Sequence, residues 1–404
     1  MFKKLSLFSL ALVLGLFFVA GSAYAGAKIK IGDDSQFDLG MRVQAQWATT
    51  DEDLDTDGKW DSEDDFNIRR ARLRLKADVT KWVTAFLQSD SADGVDHKII
   101  DAWISLNIDP WFKLIMGENM APTMRTNITS SGGLMTMDRP GLANKNLTWG
   151  MNNKYRFNSR TVTGNRATNV GSATNAVRDT GITAFGSGSL SETMHLKYYL
   201  GYADGMENGP FADEDEERLT ARVQLNMGDP EPGYFGLGTY LGKKQTMAIG
   251  VFYDTEDNVG QDPVTPTKGA DYSQWGIDLF AEQPVGPGHV TFDAQFVDLD
   301  LDDSNRQIEG DGFYVQAGYL INNWQPWVMY EQWDAAWSSK DSVVAPDVGD
   351  NDTFRIGLTY FFKGHNANVK VGYEKVSFDE DIITVGTNSE DSISTFMIGW
   401  YMTY

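Results

Sequence analysis

Cysteine is absent from the 404 residues. That removes disulfides and thiolate metal sites from consideration. Histidine is scarce: His97, His195, His289 and His365 are scattered, no two at metal-ligand spacing. No Ser/His/Asp grouping stands out, so nothing points to a hydrolase or any other enzyme. Positive charge is short as well. Lys and Arg number 34 against 57 Asp and Glu, a net charge of −23, which argues against nucleic acid as a partner. Long apolar runs are missing too, apart from one near the start, so no helix is expected to span a membrane. That one run, Leu5 to Ala20, follows Lys3 and Lys4 and precedes Ala23-Tyr24-Ala25. The pattern reads as a secretory signal peptide over residues 1–25, cleaved after Ala25. Residues 26–404 are then expected to form one exported domain.

What the chain does have is period-two alternation. From Arg70, the cations Arg70, Arg72, Arg74 and Lys76 share one parity, and Ala71, Leu73, Leu75 and Ala77 the other. In a strand the two sets face opposite sides. The stretch turns at Asp78-Val79-Thr80-Lys81 and returns as a second strand. The same alternation recurs from about Gln36 to Tyr404, predicting sixteen strands. In the first, Phe37 to Trp47 on one face oppose Asp38, Arg42, Gln44 and Gln46. Connections after even strands are short, as in DVTK, IDPW and KGHNA. Those after odd strands are long and mostly acidic, as in DEDLDTDGKWDSED and DGMENGPFADEDEE. Gly228–Lys244 is the exception, too long for a turn, and is expected to hold extra strand residues at a bend.

An even strand number, short turns on one rim and long loops on the other describe an all-β, transmembrane antiparallel barrel of about sixteen strands. The turns would be periplasmic and the acidic loops extracellular. Trp47, Trp82, Trp111, Tyr234, Trp324, Trp327, Tyr360 and Phe361 fall near strand ends, where interfacial aromatic belts are expected. Phe396, Ile398, Trp400, Met402 and Tyr404 share one face of the last strand.

The segments RRARLRLKADVTKWVTAFLQSD, DAWISL, IMGENMAPTMRTNITSS and LMTMDRP resemble the phosphate-selective porin O/P family of the outer membrane. The resemblance covers most of residues 26–404 and is most specific between Asp65 and Pro140. It implies a trimeric, sixteen-stranded channel for passive diffusion of small polar or charged solutes. It also implies a basic ladder in the lumen, here Arg70, Arg72, Arg74 and Lys76. A third long loop, about residues 120–179, would fold inward, and its constricting part maps onto about Met120–Lys145 with Arg125, Asp138, Arg139 and Lys145.

Read from the residues alone, Arg42, Lys197, Arg218 and Arg222 are further inward-parity cations. Asp38, Asp78 and Asp101 lie on strands next to the ladder and would pair with it if it serves only to stiffen the wall. Asp278, Glu282, Asp293, Glu331 and Glu374 put acids on the inward parity of the far strands. A basic arc facing an acidic one would give a mild charge preference rather than strict anion selection. Asp53, Asp55, Asp57, Gly58, Asp61 and Asp64 copy much of a calcium-loop spacing, with Asp64 where a bidentate Glu is usual. A structural Ca2+ in this first loop, or divalent ions bridging acidic loops to lipopolysaccharide, is therefore an open expectation. Other classes also stay open: a barrel that sheathes a partner such as an electron-transfer protein, a surface receptor, and a soluble periplasmic β-protein.

Overall fold

A computed structural model of the chain describes residues 26–32, 34–52, 61–91, 97–140, 177–205, 217–261, 269–301, 310–335, 351–378, 383–385, 388–390 and 392–404. The strands are β1 (Ala27–Lys30), β2 (Gln36–Glu52), β3 (Asp61–Asp78), β4 (Val83–Asp90), β5 (Lys98–Asp109), β6 (Phe112–Met120), β7 (Arg178–Ser189), β8 (Met194–Ala203), β9 (Arg218–Gly228) and β10 (Thr246–Gln261). There follow β11 (Gly269–Val285), β12 (Gly288–Leu301), β13 (Gly310–Leu320), β14 (Trp324–Ala335), β15 (Asn351–Phe361), β16 (Ala367–Phe378), β17 (Ile383–Val385), β18 (Asn388–Glu390) and β19 (Ser392–Thr403).

Sixteen of them, β2 to β16 and β19, pair antiparallel with their sequence neighbours, and β19 closes on β2 from Ser394↔Asp51 to Thr403↔Arg42. Closure gives every wall strand a partner on both sides; an open edge in hydrocarbon would cost several kcal/mol per unpaired backbone group. β1 pairs with β2 from Ala27↔Leu39 to Lys30↔Gln36, below the end of β19, and so continues that seam toward the short-turn rim. β17 and β18 form a small hairpin of their own in the last long connection.

Alternation places the side chains as the pattern requires. On β9, Leu219, Val223 and Met227 are exposed to the outside while Arg218, Arg222, Gln224 and Asn226 are buried within. About 9–11 tilted residues suffice to cross a bilayer. β2, β3 and β11 have 17, 18 and 17 residues and stand above it on the long-loop rim, whereas β4 and β6, with 8 and 9, barely reach across.

Register breaks once in the basic strand. Gln44 pairs with Arg70 but Ala45 pairs with Ile68, so Arg69 is a bulge. The bulge reverses parity, because Phe66 and Ile68 face out on even numbers while Leu73 faces out on an odd one. The aromatic belt is smaller than the sequence suggests. Trp82, Trp111 and Trp324 are exposed near the short-turn rim, but Tyr234, Trp327 and Phe361 are buried inside the barrel. Of the calcium-like spacing, Asp53, Asp55 and Asp57 lie outside the described residues. Asp61 and Asp64 sit on β3, paired with Glu52 and Thr49, in extended backbone rather than the loop that spacing needs.

Candidate functional site

Two segments enter the barrel from opposite rims. The first follows β6: residues 121–140 are almost wholly buried against the lumen wall. Arg125 N donates to Asp278 at 3.2 Å and Thr126 Oγ1 to Gln295 at 3.1 Å. Farther along, Lys370 Nζ donates to the carbonyls of Leu134 and Thr136 at 2.5 and 2.7 Å, and Arg355 to that of Arg139 at 2.9 Å. Met135 and Met137 pack with Ala48, Trp327 and Met397, an apolar cluster inside the lumen.

The second is the connection between β9 and β10. It holds no extra wall residues. Instead it rises into the barrel and meets the first segment through a parallel bridge, Thr129↔Gly236. Ser130 N donates to Gly236 O and Gly236 N to Ile128 O, both at 3.0 Å, and Gly238 N to Gly133 O at 2.9 Å. Tyr234 ties this connection to the wall, packing with Ile115, Ile128, Phe185 and Tyr199 and donating to the Met120 carbonyl at 2.6 Å. Glu231 receives Arg125 on both carboxylate oxygens, at 3.0 and 2.7 Å, and is also bonded by Gln224, Asn226 and Tyr240. Burial disfavours either charge. The pairing outweighs it, holding Glu231 well below the usual carboxylate range and Arg125 above its own.

These segments divide the lumen. On the far side the acids are covered. Asp278 is bonded to Arg222 at 2.5 and 2.8 Å, Glu374 to Arg355 at 2.5 Å, and Asp293 to Gln316 at 2.7 Å. Glu282 is capped by Thr239 Oγ1, Tyr240 N and Gly242 N at 2.9, 2.7 and 2.6 Å. None of these five acids, Glu331 included, is more than 4% exposed. A basic arc facing an open acidic arc is therefore not what the lumen presents. Arg218 and Arg222 face inward but are closed in ion pairs, Arg218 with Asp254 at 2.7 Å. Lys197 is buried with its ammonium 5.1 Å from the Tyr199 ring.

The open space lies against the ladder. A cavity of about 230 Å³ is bounded by six cations, Arg42, Arg72, Arg74, Lys76, Arg139 and Arg178, and by one carboxylate, Asp101. The cations are held to different degrees. Arg70 pairs with Asp138 at 3.1 Å and donates to Gln44 at 2.7 Å, and the bulged Arg69 takes the other oxygen of Asp138 at 2.7 Å. Arg72 pairs with Asp90 at 2.7 Å and Lys76 with Asp78 at 2.9 Å. Asp101 binds Arg178 at 3.0 Å rather than the ladder, and Asp38 bonds Gln36 at 2.6 Å. Arg42 and Arg74 have no carboxylate partner among the described residues. Arg42 lies directly opposite Arg72 in the ladder of hydrogen bonds, a repulsive placement. It donates to Ser131 Oγ at 2.6 Å and Ser130 Oγ at 3.3 Å, and Arg72 also donates to Ser131 Oγ at 3.3 Å. A hydroxyl that accepts twice keeps its own proton for a third partner. Gly132 makes this approach feasible, since a Cβ there would lie 2.5 Å from the Arg42 guanidinium.

Of the constriction residues read from the sequence, Arg125, Asp138 and Arg139 are all inside the barrel; Lys145 lies outside the described residues. Sequence reasoning missed Ser130, Ser131, Asp90, Glu231, Arg355, Lys370 and the bulged Arg69. The parity switch between Ile68 and Leu73 carries the signal for Arg69. The unusual length of the Gly228–Lys244 connection carries the one for Glu231.

The chain is similar to several known proteins. A family model described as Gram-negative porin matches residues 9–381. A protein of uncharacterised role from Aquifex aeolicus (strain VF5) is 23% identical over 351 residues, 79% of this chain and 77% of its own. The anion-selective porin from Comamonas acidovorans superposes with a TM-score of 0.55 at 12% identity, over 92% of this chain and 100% of that one. Salmonella typhi OmpF in complex with daunomycin gives 0.52 at 13% over 93% and 100%. The trimer form of Vibrio cholerae OmpT, an outer-membrane protein, gives 0.50 at 12% over 92% and 100%. At these identities the solved structures speak to the fold, and the family model to the protein: the chain belongs to the Gram-negative porin family and is an outer-membrane channel for the diffusion of solutes.

Proposed function

We propose that this porin prefers small anions, with tetrahedral oxyanions such as phosphate the best fit, as the resemblance to the O/P porins implies. The observation that carries the reading is the cavity itself. Its wall carries six guanidinium and ammonium groups against one carboxylate, and two of them, Arg42 and Arg74, have no carboxylate partner among the described residues. Planar guanidinium forks and a free hydroxyl proton suit a several-oxygen anion better than a halide. The ladder from Arg70 to Lys76 covers roughly 20 Å of strand, so an anion released by one cation is within reach of the next. The far acids, buried under the two internal segments, do not oppose it. The anion selectivity of the Comamonas neighbour agrees with this preference. The trimer form of the Vibrio neighbour supports a homotrimer in the outer-membrane bilayer; contact of the acidic loops with lipopolysaccharide is part of the same proposal.

Planar-bilayer recording in a KCl gradient tests the reading. The reversal potential should report chloride preference, phosphate should block chloride current, and neutralising Arg42→Gln with Arg74→Gln should move selectivity toward cations. A cation-selective channel, or a reversal potential indifferent to the two substitutions, would sink it.

A further inference from the structure

We infer that the β9–β10 connection is the selectivity cover of this channel: by capping Glu282 itself and fastening the loop after β6 through Glu231–Arg125, it keeps the far-wall carboxylates from recruiting cations. The connection comes from the short-turn rim, and no comparable excursion is made by the other described short connections. Its position is fixed by contacts that have no purpose in a turn. Glu282 of β11 accepts Thr239 Oγ1, Tyr240 N and Gly242 N in a tight bend where Leu241 is held at φ 57° and Gly242 at φ 74°. A β-substituted residue in that region is strained, and the strain is sustained here by the carboxylate it delivers two amide protons to. Above the bend, Glu231 grips Arg125 of the loop after β6, so the two internal segments behave as one body.

What lies beneath matters for ion choice. Asp278, with Arg222, is an internally neutral pair. Glu282 and Asp293 are not: neither has a cation within salt-bridge distance among the described residues. Glu282 is met by the connection and by Thr291, whereas Asp293 is met by Tyr314 and Gln316 of the wall, two residues from Gln295, on which Thr126 of the fastened loop is seated. Uncovered and wet, the two would present net negative charge to the lumen opposite the ladder, and a lumen lined by both signs loses its anion preference. The arrangement explains how a barrel with acids on its inward parity can still offer a basic passage.

The test removes the cover. Asp229 N donates to Gln245 O at 2.9 Å, the pairing that flanks a two-residue hairpin turn. Replacing Pro230 to Lys244 by Asn-Gly should therefore leave the barrel closed, checked by heat-modifiable gel mobility and channel insertion. In a KCl gradient the shortened channel is expected to conduct several-fold more and to shift its reversal potential toward cations. Adding Glu282→Gln and Asp293→Asn to it should return the potential toward the full-length value, whereas Asp293→Asn in the full-length channel should change nothing. A shortened channel with the full-length reversal potential, or an Asp293→Asn effect in the full-length channel, overturns the inference. If the shortened chain does not insert, Glu231→Gln is the second variant. It frees Arg125 from the connection and should shift the potential in the same direction, while Glu231→Asp should not; equal behaviour of the two overturns it as well. The sign of the full-length reversal potential tests the anion reading separately, since only differences between variants enter here.

Discussion

Phe235 is the residue that the β9–β10 connection places on the wall of the open cavity, 37% exposed and facing the basic side chains. It carries no charge, so it narrows the passage without choosing among ions. Phe235→Ala should raise single-channel conductance in symmetrical salt and leave the reversal potential where it was; a shift in potential would show that the ring orders the neighbouring arginines. Arg125 is the opposite kind of residue. Both its guanidinium nitrogens that meet Glu231 are buried, and its carbon lies 3.9 Å from the centre of the Phe280 ring. Arg125→Ala leaves Glu231 charged and buried, a loss of roughly 3–5 kcal/mol. It should appear as a lower urea midpoint in detergent or lipid, with Arg125→Met less severe than expected from charge alone, because it keeps the packing on Phe280.

Among the elements, the turn between β15 and β16 supports the connection from below. His365 Nε2 donates to the Thr239 carbonyl at 2.8 Å, and its ring meets Phe361 edge-on. Burial, reinforced by Lys370, Lys243 and Arg42 nearby, lowers its pKa from 6.5 to about 4. A histidine depressed in this way takes up protons more readily when released. Its contribution is therefore complete above about pH 6.5 and lost as pH falls toward 4. Glu231, held well below the usual carboxylate range, stays ionised through that window, so the turn should loosen before the Arg125 clasp does. Conductance noise should rise between pH 6.5 and pH 4 in the native channel and not in His365→Gln; a flat pH response in the native channel would contradict the assignment.

The elements also show what was legible in the amino-acid order. Sixteen wall strands could be read because each one alternates between lipid and lumen, and a period of two needs only local sequence. The inward sets could be read for the same reason, down to Arg42, Arg70 and Arg222. Contacts made across the barrel could not. Nothing local tells Ser131 that it will sit between Arg42 and Arg72, or pairs Lys370 with the carbonyl of Leu134, because these partners are more than fifty residues apart and meet only when the wall closes. Tyr234, Trp327 and Phe361 were misplaced on the outer belt by the same limit: an aromatic near a strand end looks alike whether it faces lipid or an internal loop.

In the whole molecule, the wall repeats one antiparallel plan from strand to strand but its contents do not repeat. Arg355 of β15 and Lys370 of β16 clamp the carbonyls of one internal segment, Glu282 fixes the other against β11, and among the described residues a basic strip along β2 to β5 remains open. Pore properties therefore depend on two excursions of the chain more than on the barrel that contains them, and the acids that dominate the composition have little say in the passage the structure describes.

The seam between the first and last wall strands adds something about time rather than transport. Arg42 on β2 bonds Thr403 of β19 as well as Ser131. Tyr401 on β19 accepts from Gln46 of β2 at 2.7 Å and donates to the carbonyl of Met137 at 3.1 Å. Each of these side chains reaches across the closing edge and into the interior loop at once. A closed wall with that loop outside would leave Arg42 and Tyr401 without their interior partners, and a seated loop without the last strand would lack Tyr401 on the Met137 carbonyl. Closure of the wall and filling of the lumen share the same side chains, so the two are expected to be completed together in assembly.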